Sequence, residues 1–205
     1  MHDALCLDME GTLVRFSYVF HRDGHPDLPV DDLQAAWLER HGRMTLVELL
    51  ADLGAGEPAR LAEEIVMRQA QGIEPFPDTL ATLAELRRRG YRLALVSNVS
   101  TPGGEYAEAL DRIGVGPLLD AMVFSHDVGA RKPDPRIFAE ALERLRTSPE
   151  RAAHVGDLLK SDVKGAKAAG MYAVHVDRGP NPEETGGPEP DLTVRSLAEL
   201  LEHFP

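Results

Sequence analysis

The feature that most constrains the fold is a repeated alternation of short apolar runs with amphipathic segments of helical period. This alternation is typical of a parallel sheet with helices on both faces, so we predict an α/β fold. The predicted strands are Ala4–Leu7, Tyr91–Val96, Met122–Ser125, Ala153–Gly156, Tyr172–Val176 and Leu192–Val194. The predicted helices of the same repeat are Asp78–Arg89, Glu105–Ile113, Arg136–Arg146, Ser161–Ala169 and Ser196–His203.

One interval interrupts this rhythm, because from Arg15 to Gln71 the chain has helical patterns and no convincing strand. The predicted helices there are Asp31–Arg40, Thr45–Leu53 and Pro58–Gln71. The segment His21–Pro29, rich in Gly, Pro and Asp, and the segment Gly72–Pro77, whose prolines forbid a continuing helix, mark its edges. We therefore expect a core of residues 1–14 and 77–205 and a small helical insertion of residues 15–76.

Composition and charge indicate a folded acidic protein. Hydrophobic residues make up 43% of the 205 residues and charged residues 27%, as in ordinary globular domains. The formal net charge of -12 repels polyanions, which argues against a nucleic-acid partner. An anionic ligand would have to be captured by a focused local site.

The single cysteine and the chain's hydropathy bear on location. Cys6 lies in an apolar run and has no partner for an intrachain disulfide, which favours a buried residue in a reducing compartment. No secretory signal pattern and no apolar run near ~18 residues are visible, so we expect no membrane partner. A cytoplasmic location is the expectation.

Two acids follow the first predicted strand. Asp8 ends it, Glu10 comes two positions later, and Gly11 permits a tight turn. One carboxylate could attack phosphorus while the second protonates the leaving oxygen and then activates water. A simple Asp and Gly turn explains the same residues, and this fragment alone does not decide between the two.

Two later segments add a hydroxyl and a cation. Ser97 and Asn98 follow the second predicted strand, and Lys132 precedes a helix that Asp134 and Pro135 would start. Lys132 could neutralise charge on Asp8 and on a transferring phosphoryl group. Taken singly, Ser and Asn also serve as turn formers or helix caps, and Lys is ordinary on a solvated loop.

A second acid pair follows the fourth predicted strand. Asp157 stands at the strand end and Asp162 five residues later. Carboxylate oxygens suit Mg²⁺, which takes few protein carboxylates and keeps several waters. Alone, Asp162 is equally well explained as a favourable charge in a first helical turn.

Together the four segments, in the order acid pair, hydroxyl, lysine and acid pair, resemble the four motifs of the haloacid dehalogenase superfamily. The resemblance covers residues 3–14 and the chain from Pro77 onward. It implies a Rossmann-like parallel sheet with helices on both faces and a small inserted α-helical cap. The activity it implies is that of a magnesium-dependent phosphatase, which hydrolyses a small phosphorylated metabolite through an aspartyl-phosphate intermediate.

The resemblance also implies roles for individual residues. Asp8 would be the nucleophile, Glu10 the general acid and base, and Lys132 a bridge between Asp8 and the phosphoryl group. The implied phosphate-binding residues are Ser97, Asn98, Lys132 and Gly11. The implied Mg²⁺ ligands, direct or through water, are Asp8, Glu10 by its backbone carbonyl, Asp157 and Asp162.

One position departs from the family pattern. The common phosphatase motif has Asp where this chain has Glu10, which adds a methylene of reach. The metal role of the backbone carbonyl is unaffected, whereas the fit of the side chain to the leaving oxygen is in question. A similar motif with Glu occurs in the enolase-phosphatase branch of the superfamily, so Glu is compatible with phosphatase chemistry.

The insertion would cover the site and select substrates. Its possible substrate contacts, most of which we interpret as surface residues, are His21, Arg22, His25, Arg40, His41 and Arg43. Its apolar residues, which we expect to pack cap helices, are Trp37, Leu46, Val47, Leu49 and Leu50.

Other functions share much of this pattern. A dehalogenase would use Asp8 without metal, leaving Glu10 and the second acid pair with no task. A phosphonate-cleaving relative would need a lysine in the cap, and the four lysines all lie after residue 77. A phosphomutase, or a binding protein with a decayed site, stays open as an alternative, and the sequence identifies neither the substrate nor the oligomeric state.

Overall fold

A computed structural model describes residues 2–16, 46–179 and 186–205 of the chain. Its strands are β1 (Ala4–Leu7), β2 (Val14–Phe16), β3 (Ile73–Pro75), β4 (Arg92–Ser97), β5 (Ala121–Phe124), β6 (Ala152–Gly156), β7 (Tyr172–Val176) and β8 (Leu192–Val194). Six of them form one sheet in the order β5-β4-β1-β6-β7-β8, with every neighbouring pair parallel. Strands β2 and β3 form a separate antiparallel pair.

Eight α-helices lie between or after these strands in the described part of the chain. They are α1 (Leu46–Asp52), α2 (Pro58–Gln71), α3 (Thr79–Arg88), α4 (Gly104–Arg112), α5 (Ser125–Val128), α6 (Pro135–Leu145), α7 (Lys164–Ala168) and α8 (Leu200–His203). Short 3₁₀ turns occur at Gly116–Leu118, Pro149–Arg151 and Leu197–Glu199, and a π-helical turn at Leu159–Val163 leads into α7. No helix in these described ranges is long and apolar enough to cross a bilayer.

Side chains alternate between the two faces of the sheet, and each face has its own core. Leu5 and Leu7 of β1 lie in a cluster with residues of α3, α4 and α8. Ala4 and Cys6 lie in a second cluster with residues of α6 and α7. Cys6 is fully buried, as expected, and burial raises the pKa of its thiol to about 12. The predicted α/β fold, with helices on both faces of a parallel sheet, is confirmed.

The second face is built for close packing. Several of its strand residues are small, with Ala94, Ala152 and Ala173 beside Ala4 and Cys6. The helices on this face also pack closely, because a Cβ on Gly165 of α7 would overlap the ring of Phe138 on α6. Small residues therefore set how near α6 and α7 lie to each other and to the sheet.

Several predicted elements match the structure and others shift slightly. The bounds of β1, β7, β8 and α2 are as predicted, while β4 and β5 are each displaced by one residue. Ser125 starts α5 instead of ending β5, and its hydroxyl bonds both Val99 N, at 2.9 Å, and Val99 O, at 3.0 Å. The predicted helix start at Asp134 is confirmed, since its carboxylate accepts from Arg136 N at 2.9 Å.

The expectation of no strand between Arg15 and Gln71 is wrong. Arg15 and Phe16 belong to β2, which pairs antiparallel with β3, a strand that begins just after Gln71. Each strand is only three residues long, too short for alternation to stand out in a sequence, and pairing between distant segments supplies the hydrogen bonds. The predicted segments His21–Pro29 and Asp31–Arg40 lie outside the described residues.

Replacing Gly165 with Ala should destabilise the protein. The added methyl group would overlap Phe138, and overpacking of this kind costs about 1–3 kcal/mol. Urea denaturation measures the free energy of unfolding. Gly104→Ala is the matched control, because nothing lies within 4 Å of a Cβ on this other helical glycine. Equal stabilities for the two variants would contradict close packing between α6 and α7.

Candidate active site

The carboxyl ends of three adjacent strands bring the predicted site residues to one edge of the sheet. Strand β1 lies between β4 and β6. Asp8 directly follows β1, Ser97 ends β4 and Asp157 directly follows β6. The chain continues from β1 to β4 and β5 on one side and from β6 to β7 and β8 on the other, so the strand order reverses between β1 and β6. Open α/β sheets bind ligands at such a switch point.

Lys132 lies at the centre of the site. Its ammonium is buried and donates to Oδ1 of Asp8 and, at 2.7 Å, to Oδ1 of Asp162. The Asn98 side chain holds the Lys132 backbone from both sides, accepting from its N–H at 2.8 Å and donating to its carbonyl at 3.1 Å. Asn98 thus connects the end of β4 to the loop that presents the lysine.

Asp162 is fully buried, and both of its carboxylate oxygens accept hydrogen bonds. Besides Lys132, Oδ1 has His154 Nε2 at 2.9 Å. Oδ2 accepts from Leu158 N and Ser161 Oγ, each at 3.1 Å. Two carboxylate oxygens offer about four lone-pair positions, so the hydrogen-bonding capacity of Asp162 is filled.

Asp157 belongs to the same cluster of acids as Asp8 and Asp162. Its backbone carbonyl lies 3.1 Å from His175 Nε2. One carboxylate oxygen from each of Asp8, Asp157 and Asp162 lies within 4.8 Å of the other two. These three acids form a group that could hold a cation.

Glycines make room for this cluster of carboxylates. Gly11 has φ of +77°, and a Cβ on it would overlap the Asp157 carboxylate. A Cβ on Gly156 would overlap the carboxylate of Asp162 in the same way. Gly11 is therefore placed against the acid cluster by the turn that follows β1, in which its N–H donates to Val14 O at 2.9 Å.

The cluster carries more negative charge than one lysine offsets. Burial raises the pKa of Asp8 to about 6, against the opposing effect of the Lys132 ammonium. Burial, and then the charges of Asp8 and Asp162, raise the pKa of Asp157 to about 9. Burial acts in the same direction on Asp162, but Lys132 and His154 outweigh it and hold the pKa of that carboxyl well below its usual range. A divalent cation would relieve the repulsion among these acids.

Glu10 differs from the three clustered acids in its exposure. Its side chain is exposed to solvent. The pKa of the Tyr106 phenol on α4 is raised first by burial of that phenol and then by the negative charge of Glu10. Tyr106 donates its hydroxyl to Gln69 Oε1 of α2 at 3.1 Å. The Glu10 side chain is thus near the place where α2 meets α4.

Sequence reasoning missed several residues that shape the site. His154 and Ser161 bond Asp162, and Arg178 Nη2 donates to the carbonyl of Thr12 at 2.9 Å beside the turn after β1. The one signal available in the sequence was a histidine inside an apolar strand. The residues predicted as possible substrate contacts between His21 and Arg43, together with Trp37, lie outside the described residues.

A family model for haloacid dehalogenase-like hydrolases matches residues 2–170 of the chain. The chain belongs to this family. A phosphoserine phosphatase of Thermus thermophilus is 41% identical over 168 residues, which make up 82% of this chain and 66% of that protein. A glyceraldehyde 3-phosphate phosphatase of Methanopyrus kandleri is 35% identical over 161 residues, covering 75% of this chain and 68% of the relative. The chain thus spans about two thirds of the length of these curated relatives.

A solved relative agrees over nearly the whole chain. The crystal structure of a haloacid dehalogenase-type phosphatase from Thermococcus onnurineus superposes with a TM-score of 0.69 at 29% identity. The superposition covers 99% of this chain and 97% of that one. The family resemblance noted in the four motifs is therefore confirmed in sequence and in fold.

Gly11→Ala should destabilise the protein more than a glycine replacement elsewhere that has the same backbone conformation. Gly54 has φ of +85°, and a Cβ added to it would have nothing within 4 Å, so Gly54→Ala measures the backbone penalty alone. Overlap with Asp157 should add about 1–3 kcal/mol to the loss in Gly11→Ala. Urea denaturation gives both values, and equal losses would show that the turn does not press on Asp157.

Proposed function

We propose that this chain is a magnesium-dependent phosphatase that hydrolyses small phosphate monoesters through an aspartyl phosphate on Asp8. The observation that carries the proposal is the buried ammonium of Lys132, which bonds both Asp8 and Asp162 within a cluster that Asp157 completes. A carboxylate at a strand end can attack a phosphate only if the repulsion between the two anions is offset. Lysine and a cation together would do this.

The residues present fit a magnesium ion. Asp157 and Asp8 bring carboxylate oxygens within 4.8 Å of each other, and the missing Cβ of Gly11 leaves the space in which the Asp157 carboxylate lies. Asp162 already accepts from four donors, so we assign it the task of fixing Lys132 and of reaching the ion only through water. The exposed side chain of Glu10 leaves its backbone carbonyl as the group for the ion. When bound, Mg²⁺ would neutralise charge on the phosphoryl oxygens.

The protein groups then divide the reaction into two steps. Asp8 attacks phosphorus in line, so that the bond from its oxygen to phosphorus forms as the bond to the leaving oxygen breaks, and Glu10 gives that oxygen its proton. In the second step Glu10 takes a proton from water, which attacks phosphorus and releases inorganic phosphate and Asp8. Lys132, Ser97 and the amides near Gly11 would hold the phosphoryl oxygens.

We further propose that residues 15–76 form a cap over this site. The paired strands β2 and β3 connect this segment to the core next to the turn that carries Glu10. Helix α2 also contacts the core helix α4 through Gln69 with Tyr106 and through Ala70 O, which accepts from Arg112 at 3.0 Å. A cap in this place would exclude water and favour small substrates, in line with the two curated relatives, which are named as phosphatases of small metabolites.

A dehalogenase fits the site less well. Displacement of halide by Asp8 needs no cation, so it gives no task to the carboxylate of Asp157 that lies beside Asp8. The acid cluster therefore favours phosphoryl transfer over halide displacement.

Asp8→Asn should abolish phosphate release, because an amide cannot serve as the attacking carboxylate. The assay is hydrolysis of p-nitrophenyl phosphate by purified protein, with Mg²⁺ and with a chelator. Asp191→Asn is the matched control, since it makes the same change at a surface pair with Lys167 before β8. Activity in Asp8→Asn equal to that of the control would defeat the assignment of the nucleophile.

Mg²⁺ should raise the melting temperature of the wild-type protein, and Asp157→Asn should remove most of that rise. Glu10→Gln should keep the rise, because its proposed metal ligand is a backbone carbonyl, while kcat falls about 10²-fold or more with loss of the acid. Differential scanning fluorimetry over a magnesium series, with Asp191→Asn again as control, measures the first effect. A full magnesium response in Asp157→Asn would contradict the proposed ligand set.

A further inference from the structure

His154 is a fully buried histidine in a strand where an apolar residue would be expected. It lies on β6, on the sheet face whose other described core residues include Ala4, Cys6, Ala94 and Ala173. Its ring meets Phe138 edge to face, with centroids 4.9 Å apart. Burying an imidazole costs free energy unless its polar atoms are bonded, so a merely space-filling role would favour Leu or Val at this position.

The hydrogen bond to Asp162 can run in only one direction. The carboxyl of Asp162 faces an ammonium and a backbone N–H, which only donate, so it is ionised and accepts from His154 Nε2. The environment thus selects the tautomer that has its hydrogen on Nε2.

This bond acts on the oxygen that also binds the lysine. Asp162 Oδ1 accepts from His154 Nε2 at 2.9 Å and from Lys132 Nζ at 2.7 Å, and the same ammonium bonds Asp8. The other oxygen is held by Leu158 N and Ser161 Oγ. His154 therefore fixes where Oδ1 lies, and Oδ1 fixes where the ammonium lies.

We propose that His154 is a positioning residue for the reaction: through its Nε2–H it holds Asp162 so that Lys132 stays against Asp8. This role rests on the proposed phosphatase function, and it assigns His154 no contact with substrate. Removal of a group that hydrogen-bonds and orients a residue of a metal site commonly lowers activity or metal affinity 10- to 100-fold.

The first test uses the wild-type protein and requires no activity. We expect ¹⁵N NMR of histidine-labelled protein at neutral pH to show His154 protonated on Nε2. The resonances are assigned by their loss in a His154→Leu sample or, if that variant does not fold, in His154→Gln. A neutral ring with its proton on Nδ1 would overturn the proposal, because Nε2 could then not donate to Asp162.

The second test separates positioning from packing. His154→Leu keeps bulk but loses the donor, so kcat should fall about tenfold or more, and the magnesium concentration for half-maximal activity should rise. His154→Gln places an amide N–H at similar reach and should recover most of the loss. Leu142→Ala, in the core cluster that contains Phe138, the ring next to His154, should lower the melting temperature while leaving kcat and the magnesium dependence unchanged.

The outcomes of these tests separate failure of the positioning role of His154 from failure of the proposed phosphatase function. Wild-type kcat in His154→Leu, or an equal kcat loss in Leu142→Ala, would overturn the positioning role and leave the phosphatase assignment standing. Absence of any phosphatase activity in the wild-type protein would overturn the function. The NMR result, and the effect of His154→Leu on stabilisation by Mg²⁺, would still decide whether His154 holds Asp162.

Discussion

The arrangement of the site depends on one buried ammonium shared by two carboxylates. Lys132 bonds Asp8 and Asp162, and all three side chains are almost completely withdrawn from solvent. A buried ion pair contributes little net stability, but removing one partner commonly costs about 3–5 kcal/mol because a charge is left uncompensated. The protein therefore depends on this contact chiefly to define positions. Asn98, which binds the Lys132 backbone, and His154, which binds Asp162, secure the same contact from two sides.

Close packing brings these charges together. Gly11 and Gly156 leave space that the carboxylates of Asp157 and Asp162 occupy, and small residues on one sheet face bring α6 and α7 near the strands that carry the acids. The consequence is electrostatic. Burial raises the pKa of Asp157, and repulsion from Asp8 and Asp162 raises it further, whereas Lys132 and His154 outweigh burial at Asp162 and lower its pKa. A cation bound among these carboxylates would lower their repulsion, in keeping with the proposed magnesium site.

Much of this architecture could be read from the chain alone. A strand such as Ala4–Leu7, buried on both faces, is a continuous apolar run that ends in a polar residue, so its end and its Asp8 are visible without a structure. The pair β2 and β3 was not visible, because three-residue strands carry no periodic signal and their pairing joins residues far apart in sequence. The exposure of Glu10, beside clustered acids, was hidden as well, since a turn decides on which side a side chain emerges.

The sequence by itself determined the fold class, the family and the order of the four motifs, because these depend on local pattern and on residue identity. Only the tertiary structure decided which of the two later acids holds the lysine and has its hydrogen-bonding capacity filled. Asp157 and Asp162 look alike in sequence, but His154, Ser161 and Lys132 converge on Asp162, whereas Asp157 lies against Gly11. Hydrogen-bond saturation is a property of three-dimensional neighbours, and elements distant in sequence supply those neighbours.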